Sequence, residues 1–149
     1  MRFRTATWME VDVRYRKVME DGMEKPVTEK YVVDALSFSE GETKAIAEMS
    51  AYVNGECDVK AIKTANYGEI LFSDDSVDDV WWKVKLNIFT INEKTGKEVK
   101  SPALYLVQAA TLQRAVNNVM SAFGNMMVDY TFESVTATNV VDVFELKSK

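Results

Sequence analysis

The densest group of reactive side chains is Asp74-Asp75-Ser76-Val77-Asp78-Asp79, four carboxylates in six residues just ahead of Trp81. Oxygen ligands at that density suit a hard cation, and a magnesium- or manganese-dependent enzyme could draw on Asp74, Asp75, Asp78 and Asp79. The segment lacks the glycine turn and terminal glutamate of a calcium loop, so a solvated connection is the better reading. A second pattern follows directly. Trp81, Lys83, Lys85, Asn87 and Phe89 alternate with other residues, so a strand would gather them on one face. Trp8, Arg14 and Arg16 share that parity in an earlier alternating run. Aromatic rings interleaved with cations form a platform on which single-stranded nucleic acid stacks its bases and pairs its phosphates. Subunit interfaces are also enriched in aromatic residues and arginine. A net charge of −5, with Glu10 and Asp12 among the cations, favours that second use. Trp8, Arg14, Arg16, Trp81, Lys83, Lys85 and Phe89 are the candidate binding-face residues.

Composition narrows the remaining chemistry. The chain has no histidine, which removes the commonest general base, the usual catalytic triad and most zinc sites. Cys57 is the lone cysteine, without a disulfide partner in the chain or a histidine to activate it. It reads as a small core residue in a reducing compartment. No glycine pattern forms a phosphate loop or a dinucleotide fingerprint. The expectation is a protein with no catalytic residue, no metal and no cofactor. No apolar run approaches the roughly 18 residues of a membrane span. The opening Met1-Arg2-Phe3-Arg4 does not read as a secretion signal. A cytoplasmic location and no membrane partner are expected.

These side chains must be positioned by elements that the hydrophobic pattern outlines. Met9, Val11, Val13 and Tyr15 alternate with Glu10, Asp12, Arg14 and Arg16, the period of a half-buried strand. Asp21-Gly22 turns the chain into a second strand over about Val27 to Ala35. Ser39 and Glu42 have capping-box spacing for a helix whose stripe is Ala45, Ile46, Met49, Tyr52 and Val53, closed by Asn54-Gly55. Extended chain from Cys57 to Phe72 breaks near Asn66-Tyr67-Gly68. The order then recurs. Trp82, Val84, Leu86 and Ile88 alternate, Glu93 to Lys97 turn, and a strand runs from about Val99 to Gln108. Pro102 puts the first part of that strand at an edge. Thr111 caps a helix with the stripe Leu112, Ala115, Val116, Val119, Met120 and Phe123, which Gly124-Asn125 close. A long strand from about Val128 to Leu146 ends the chain.

The recurrence is visible residue by residue. Trp8, Gly22, Glu24, Tyr31, Val33 and Ala35 return 74 positions later as Trp82, Gly96, Glu98, Tyr105, Val107 and Ala109. Ile62, Asn66, Ile70 and Leu71 return 73 positions later as Val135, Asn139, Val143 and Phe144. The pattern predicts one α+β domain over 1–149, an internal duplication of a strand-strand-helix-strand unit spanning about 7–73 and 80–146. The expected architecture is an antiparallel sheet with two helices on one face and the other face open.

Three stretches resemble a family from Bacteroidetes genomes and their phages, domain of unknown function 4494. They are Val27-Thr28-Glu29-Lys30-Tyr31-Val32-Val33-Asp34-Ala35-Leu36-Ser37-Phe38-Ser39-Glu40, Leu106-Val107-Gln108-Ala109-Ala110, and Val135-Thr136 through Asp142-Val143-Phe144. The resemblance spans nearly the whole chain. It implies a phage or mobile-element accessory protein and supplies no site residues. In element order alone, counted from Cys57, the chain is similar to a circularly shifted repeat of the Pur-alpha and Whirly single-strand binders. The expected function is a non-enzymatic binding or assembly module, self-associating as a homo-oligomer through the open sheet face. Single-stranded nucleic-acid binding is the first alternative and a carboxylate-dependent metal enzyme the second. Sequestration of a small nucleotide between subunits is a further partner reading.

Overall fold

A computed structural model describes residues 1–53, 55–124 and 126–145. The chain runs β1 (Arg2–Thr5), β2 (Trp8–Val18), β3 (Glu24–Asp34), α1 (Phe38–Met49), β4 (Cys57–Thr64), β5 (Glu69–Phe72), β6 (Trp81–Ile91), β7 (Glu98–Gln108), α2 (Leu112–Phe123), β8 (Asp129–Ala137) and β9 (Val140–Phe144). The strands form two sheets, ordered β1-β5-β7-β6-β8 and β4-β2-β3-β9. Two compact units result. One comprises Met1–Thr5 and Asn66–Thr138, the other Ala6–Ala65 and the chain from Asn139.

The fold is α+β, but the expected single antiparallel sheet with both helices on one face is corrected. Each sheet carries its own helix, and each is mixed: β5 runs parallel to β7, and β9 runs parallel to β3. The reason lies in the two bends that follow β4 and β8. The extended segments expected over Cys57–Phe72 and Val128–Leu146 each break there, and the part beyond the break joins the sheet built on the other hairpin. Leu146 lies outside the described residues.

Alternation decides which strand face meets each helix. Ala45 and Met49 of α1 pack on Met9, Val11, Val13, Tyr31, Val33 and Ala35, with Phe144 of β9. Ala115, Val119 and Phe123 of α2 pack on Val84, Leu86, Tyr105, Val107 and Ala109, with Trp82 partly buried beside them. Removal of this apolar surface from water is the main stabilising term for either unit. Gly41 lets α1 sit close to its sheet: a Cβ there would lie 2.8 Å from Ile62 Cδ1 and 3.2 Å from Met9 Sδ. Pro102 lies in β7 at a level that β5 does not reach, so its missing N–H leaves no gap in the ladder, as its edge position predicts.

Local signals shift by a residue or two. The cap of α1 is Ser37, whose hydroxyl accepts the Glu40 N–H at 3.1 Å, while Glu40 accepts the Leu36 N–H at 3.2 Å. This reciprocal pair replaces the expected Ser39–Glu42 box, because the helix starts as soon as β3 has ended. Thr111 caps α2 as expected, accepting the Arg114 N–H at 3.2 Å. Tyr52, assigned to the stripe of α1, lies beyond the helix and is 77% exposed. Leu112 and Met120 of the second stripe are also exposed. Asn54 and Asn125, expected to close the helices, lie outside the described residues.

Pairing also corrects one residue match. Trp8 faces Asp34, and Trp81, not Trp82, faces Gln108. The second hairpin turn, 92–97, is one residue longer than the first, 19–23, so β2 and β6 correspond at an offset of 73 and β3 and β7 at 74. Trp8 therefore answers to Trp81, while Trp82 stands in the place of Met9 on the helix side. Each sheet also carries a bulge at the same point, leaving Lys60 unopposed in β4 and Glu133 unopposed in β8.

Candidate interaction surface

Both hairpins outrun their cores. β2 and β3 have 11 residues each, yet burial ends at Val13 and resumes at Tyr31. β6 and β7 have 11 each, and burial ends at Asn87 and resumes at Tyr105. The distal arms are built of alternating residues with no helix beneath them, and they expose Val18, Met19 and Met23 on one hairpin and Ile91 and Val99 on the other.

The seven candidate residues separate along these hairpins. Trp8 and Trp81 lie at the strand starts and are 1% and 2% exposed, so neither indole is presented to a base or a subunit. The expectation of an open face is corrected at this end. Lys83, Lys85 and Phe89 are half-buried. The Lys83 ammonium stands 5.9 Å from the Tyr67 ring centre, and Lys85 pairs with Glu133 at 3.4 Å. Arg14 and Arg16 are exposed on the first arm, where Arg16 pairs with Glu24 at 3.4 Å. The structure thus parts the aromatic rings from the guanidinium groups.

A polar cluster that composition did not reveal sits on the helix-side face of the same arm. Glu29 accepts a short hydrogen bond from the Tyr15 hydroxyl and one of 2.9 Å from Tyr31, and Lys17 stands 3.4 Å from its other oxygen. Burial alone would raise the Glu29 pKa, but the two phenols and the Lys17 ammonium outweigh it and hold the carboxyl below its ordinary range. Burial, then the bond to Glu29, pushes Tyr15 up to about 12. The same two causes raise Tyr31. Alternation places residues 15, 29 and 31 on one face, but only the antiparallel register brings them together. A separate cavity of about 360 Å³ on this arm is lined by Arg14, Tyr15, Arg16, Glu24, Pro26, Gly55, Glu56 and Asp58, of which only Tyr15 belongs to the cluster.

The cluster carries a measurable signature. Spectrophotometric titration of Glu29→Gln should show Tyr15 ionising nearer pH 10, because the anionic acceptor that opposes its charge is gone. In the native chain a raised phenol pKa supports folding below about pH 10 and is lost as pH climbs toward 12. A titration identical to wild type would show that Glu29 does not govern Tyr15.

The acidic segment is not wholly solvated. Asp74, Asp75 and Asp79 are exposed, but Asp78 is buried. Its carboxylate accepts from Arg114 Nε at 2.7 Å and Nη2 at 2.8 Å, from the Ala110 N–H at 2.7 Å, and from Ser73 Oγ at 2.5 Å. Asn118 Nδ2 lies 3.4 Å away. Arg114, followed by Ser73, Ala110 and Asn118, holds the Asp78 pKa far below the usual carboxylate range against the opposing effect of burial. Among the described residues no three His, Cys, Asp or Glu side chains are grouped to hold a metal ion. None of their helices is long and apolar enough to cross a membrane.

A family model described as Domain of unknown function (DUF4494) matches residues 7–146. The chain belongs to this family. Its matched span takes in both helices, both hairpins and β9, and leaves out β1. No curated protein matches the chain, and no solved structure does.

Proposed function

We propose that the protein is a non-enzymatic binding and assembly module that self-associates through its hairpin arms. The single observation that carries this reading is the pair of arms that extend past their helices with apolar side chains in solvent. Val18, Met23 and Ile91 are 64%, 63% and 71% exposed. Scattered exposed apolar residues are ordinary, but paired clusters at the ends of two matched strands offer buried area to a second copy. The aromatic and arginine content expected of an interface is met on the first arm by Tyr15, Arg14 and Arg16. Duplication of a β-β-α-β-β segment accounts for two arms in one chain; strand orders that match apart from β1, and bulges at corresponding positions, support it. The phage or mobile-element origin implied by the family resemblance and a cytoplasmic location complete this reading.

Sedimentation velocity tests it. The native chain should associate at micromolar concentration, and a Val18→Lys/Met23→Lys/Ile91→Lys variant should dissociate about tenfold more readily. A native chain that stays monomeric up to about 100 µM would end the reading.

Exposed Arg14 and Arg16 favour single-stranded nucleic acid as a second reading. Anisotropy of labelled oligo-dT is the suitable probe, since the Trp8 and Trp81 indoles are buried. Losing both arginines should flatten the log-log salt dependence by about 2.

A further inference from the structure

The outer edge of β8 has backbone groups to spare, and a bulge sets their spacing. In β6 successive residues bond alternately to the neighbour on either side. The Val80 carbonyl, just ahead of β6, accepts the Ala109 N–H at 2.8 Å on the β7 side, and the Trp81 carbonyl accepts the Thr138 N–H at 3.3 Å on the β8 side. Odd-numbered residues of β6 therefore bond to β8, where their partners are Asp129, Thr131, Ser134 and Thr136. Tyr130, Phe132, Val135 and Ala137 lie opposite the even ones and direct their N–H and C=O groups away from β6. β8 borders its sheet, and among the described residues these outward groups have no hydrogen-bond partner.

Outward groups recur at every second residue on either side of the bulge, but Val135 follows Phe132 by three. A regular strand laid along this edge would lose register there, which is how a bulge protects an edge. A second β8 would not. Run antiparallel about a twofold axis between Glu133 and Ser134, it has the same gap at the same level. Phe132 then faces the second copy's Val135 and Tyr130 faces its Ala137, outward groups against outward groups.

The facing side chains suit this axis. Phe132 against Val135 sets an aromatic ring on a β-branched residue, and Thr131 meets Thr136; both are favourable cross-strand pairs. Tyr130, Phe132 and Val135 are partly buried against the core of their own sheet, and a second copy would cover surface they leave open. No like charges oppose. Glu133 meets Ser134, and Lys85 already stands 3.4 Å from its carboxylate. β4, the corresponding strand of the other sheet, has the same bulge but carries Asp58, Lys60 and Lys63 where β8 has Thr131, Glu133 and Thr136. Such charges, lysine above all, hold an edge apart from other chains.

We propose that β8 pairs with β8 of a second copy across this axis, joining two 5-stranded sheets into one at a surface separate from the hairpin arms. The test is amide exchange of the full chain, compared at about 1 and 100 µM. Exchange at Tyr130, Phe132, Val135 and Ala137 should slow at the higher concentration, and should slow equally in the triple arm variant. Thr131→Glu/Thr136→Glu sets acid against acid across the axis while giving Lys83 an acidic neighbour within the sheet. It should weaken pairing about tenfold. Thr131→Lys/Thr136→Glu sets opposite charges across the axis and should restore it. Equal exchange at both concentrations, slowing at 57–64 together with 130–137, or undiminished slowing in the double-glutamate variant would overturn the proposal. Association with slowing confined to the arms would overturn it too, while leaving the arms in place. Slowing at 130–137 with undiminished association of the triple arm variant would support this pairing and remove the arms.

Discussion

Replacing Asp78 with asparagine is expected to cost about 3 kcal/mol of folding stability, read as a lower urea midpoint with an unchanged slope. The carboxylate is fully buried, while the side chain of Arg114 keeps 39% exposure, which places the expected loss at the low end for breaking a buried ion pair. Asparagine preserves the shape but turns one acceptor into a donor, directed at the Arg114, Ser73 or Asn118 donors that now converge on Asp78. One of those donors would be left without a partner in a site closed to water. The Ala110 N–H, which Asp78 accepts directly ahead of α2, makes the start of that helix part of the loss. The pH dependence has a definite sign. A carboxyl depressed in the folded state contributes stability above its unfolded pKa of about 4 and loses it as pH falls below that value. The gap between native and Asp78→Asn chains should therefore narrow below about pH 4. A variant with the native midpoint at neutral pH would show that the cluster holds nothing together.

Phe123→Ala should cost about 3–4 kcal/mol, the range for removing a buried aromatic ring. Phe123 is 7% exposed and its ring lies 4.9 Å from Tyr130, 5.5 Å from Phe3 and 6.0 Å from Tyr105. Three elements other than α2 lose a packing partner at once: β1, β7 and β8. Because Phe3 is the apolar anchor of β1, amide exchange at Phe3–Thr5 should quicken more than at the strand centres. Phe123→Leu keeps most of the volume and should recover the greater part of the loss. A loss of under about 1 kcal/mol in the alanine variant would mean that the cavity collapses or that the cluster is loosely packed.

Much of the local architecture is legible in the residues. The alternation of Met9, Val11 and Val13 and of Trp82, Val84 and Leu86 names the helix-facing side of each hairpin correctly, because a strand offers only two directions. Turn chemistry at Gly22 and Gly96 is also readable, and both glycines have positive φ, 82° and 69°. The cap of α1 was displaced to Ser37, since several hydroxyls near a strand end compete and the end itself is set by pairing. Aligned tryptophans favour a match of Trp8 to Trp82, because only strand pairing exposes the one-residue difference in turn length.

The candidate surface was less legible. Parity groups Trp81 with Lys83 and Lys85, yet parity does not tell how far along a strand the burial reaches. Trp8 and Trp81 fall in the buried part, Arg14 and Arg16 beyond it. Glu29 gains its two phenols from residues on facing strands, a relation set by register. Asp78 looked like its acidic neighbours until Arg114, 36 positions later, was brought against it.

Periodicity and turn residues determined the two hairpins, the two helices, their order and the inward side of each hairpin, because these follow from rules that act within a few residues of chain; β1 and the division of the last strand into β8 and β9 did not show in them. Tertiary structure alone decided that β5 pairs with β7 and β9 with β3, that the indoles are buried and that Asp78 is an anchor. Those outcomes depend on which distant segments meet, and no local pattern encodes that meeting.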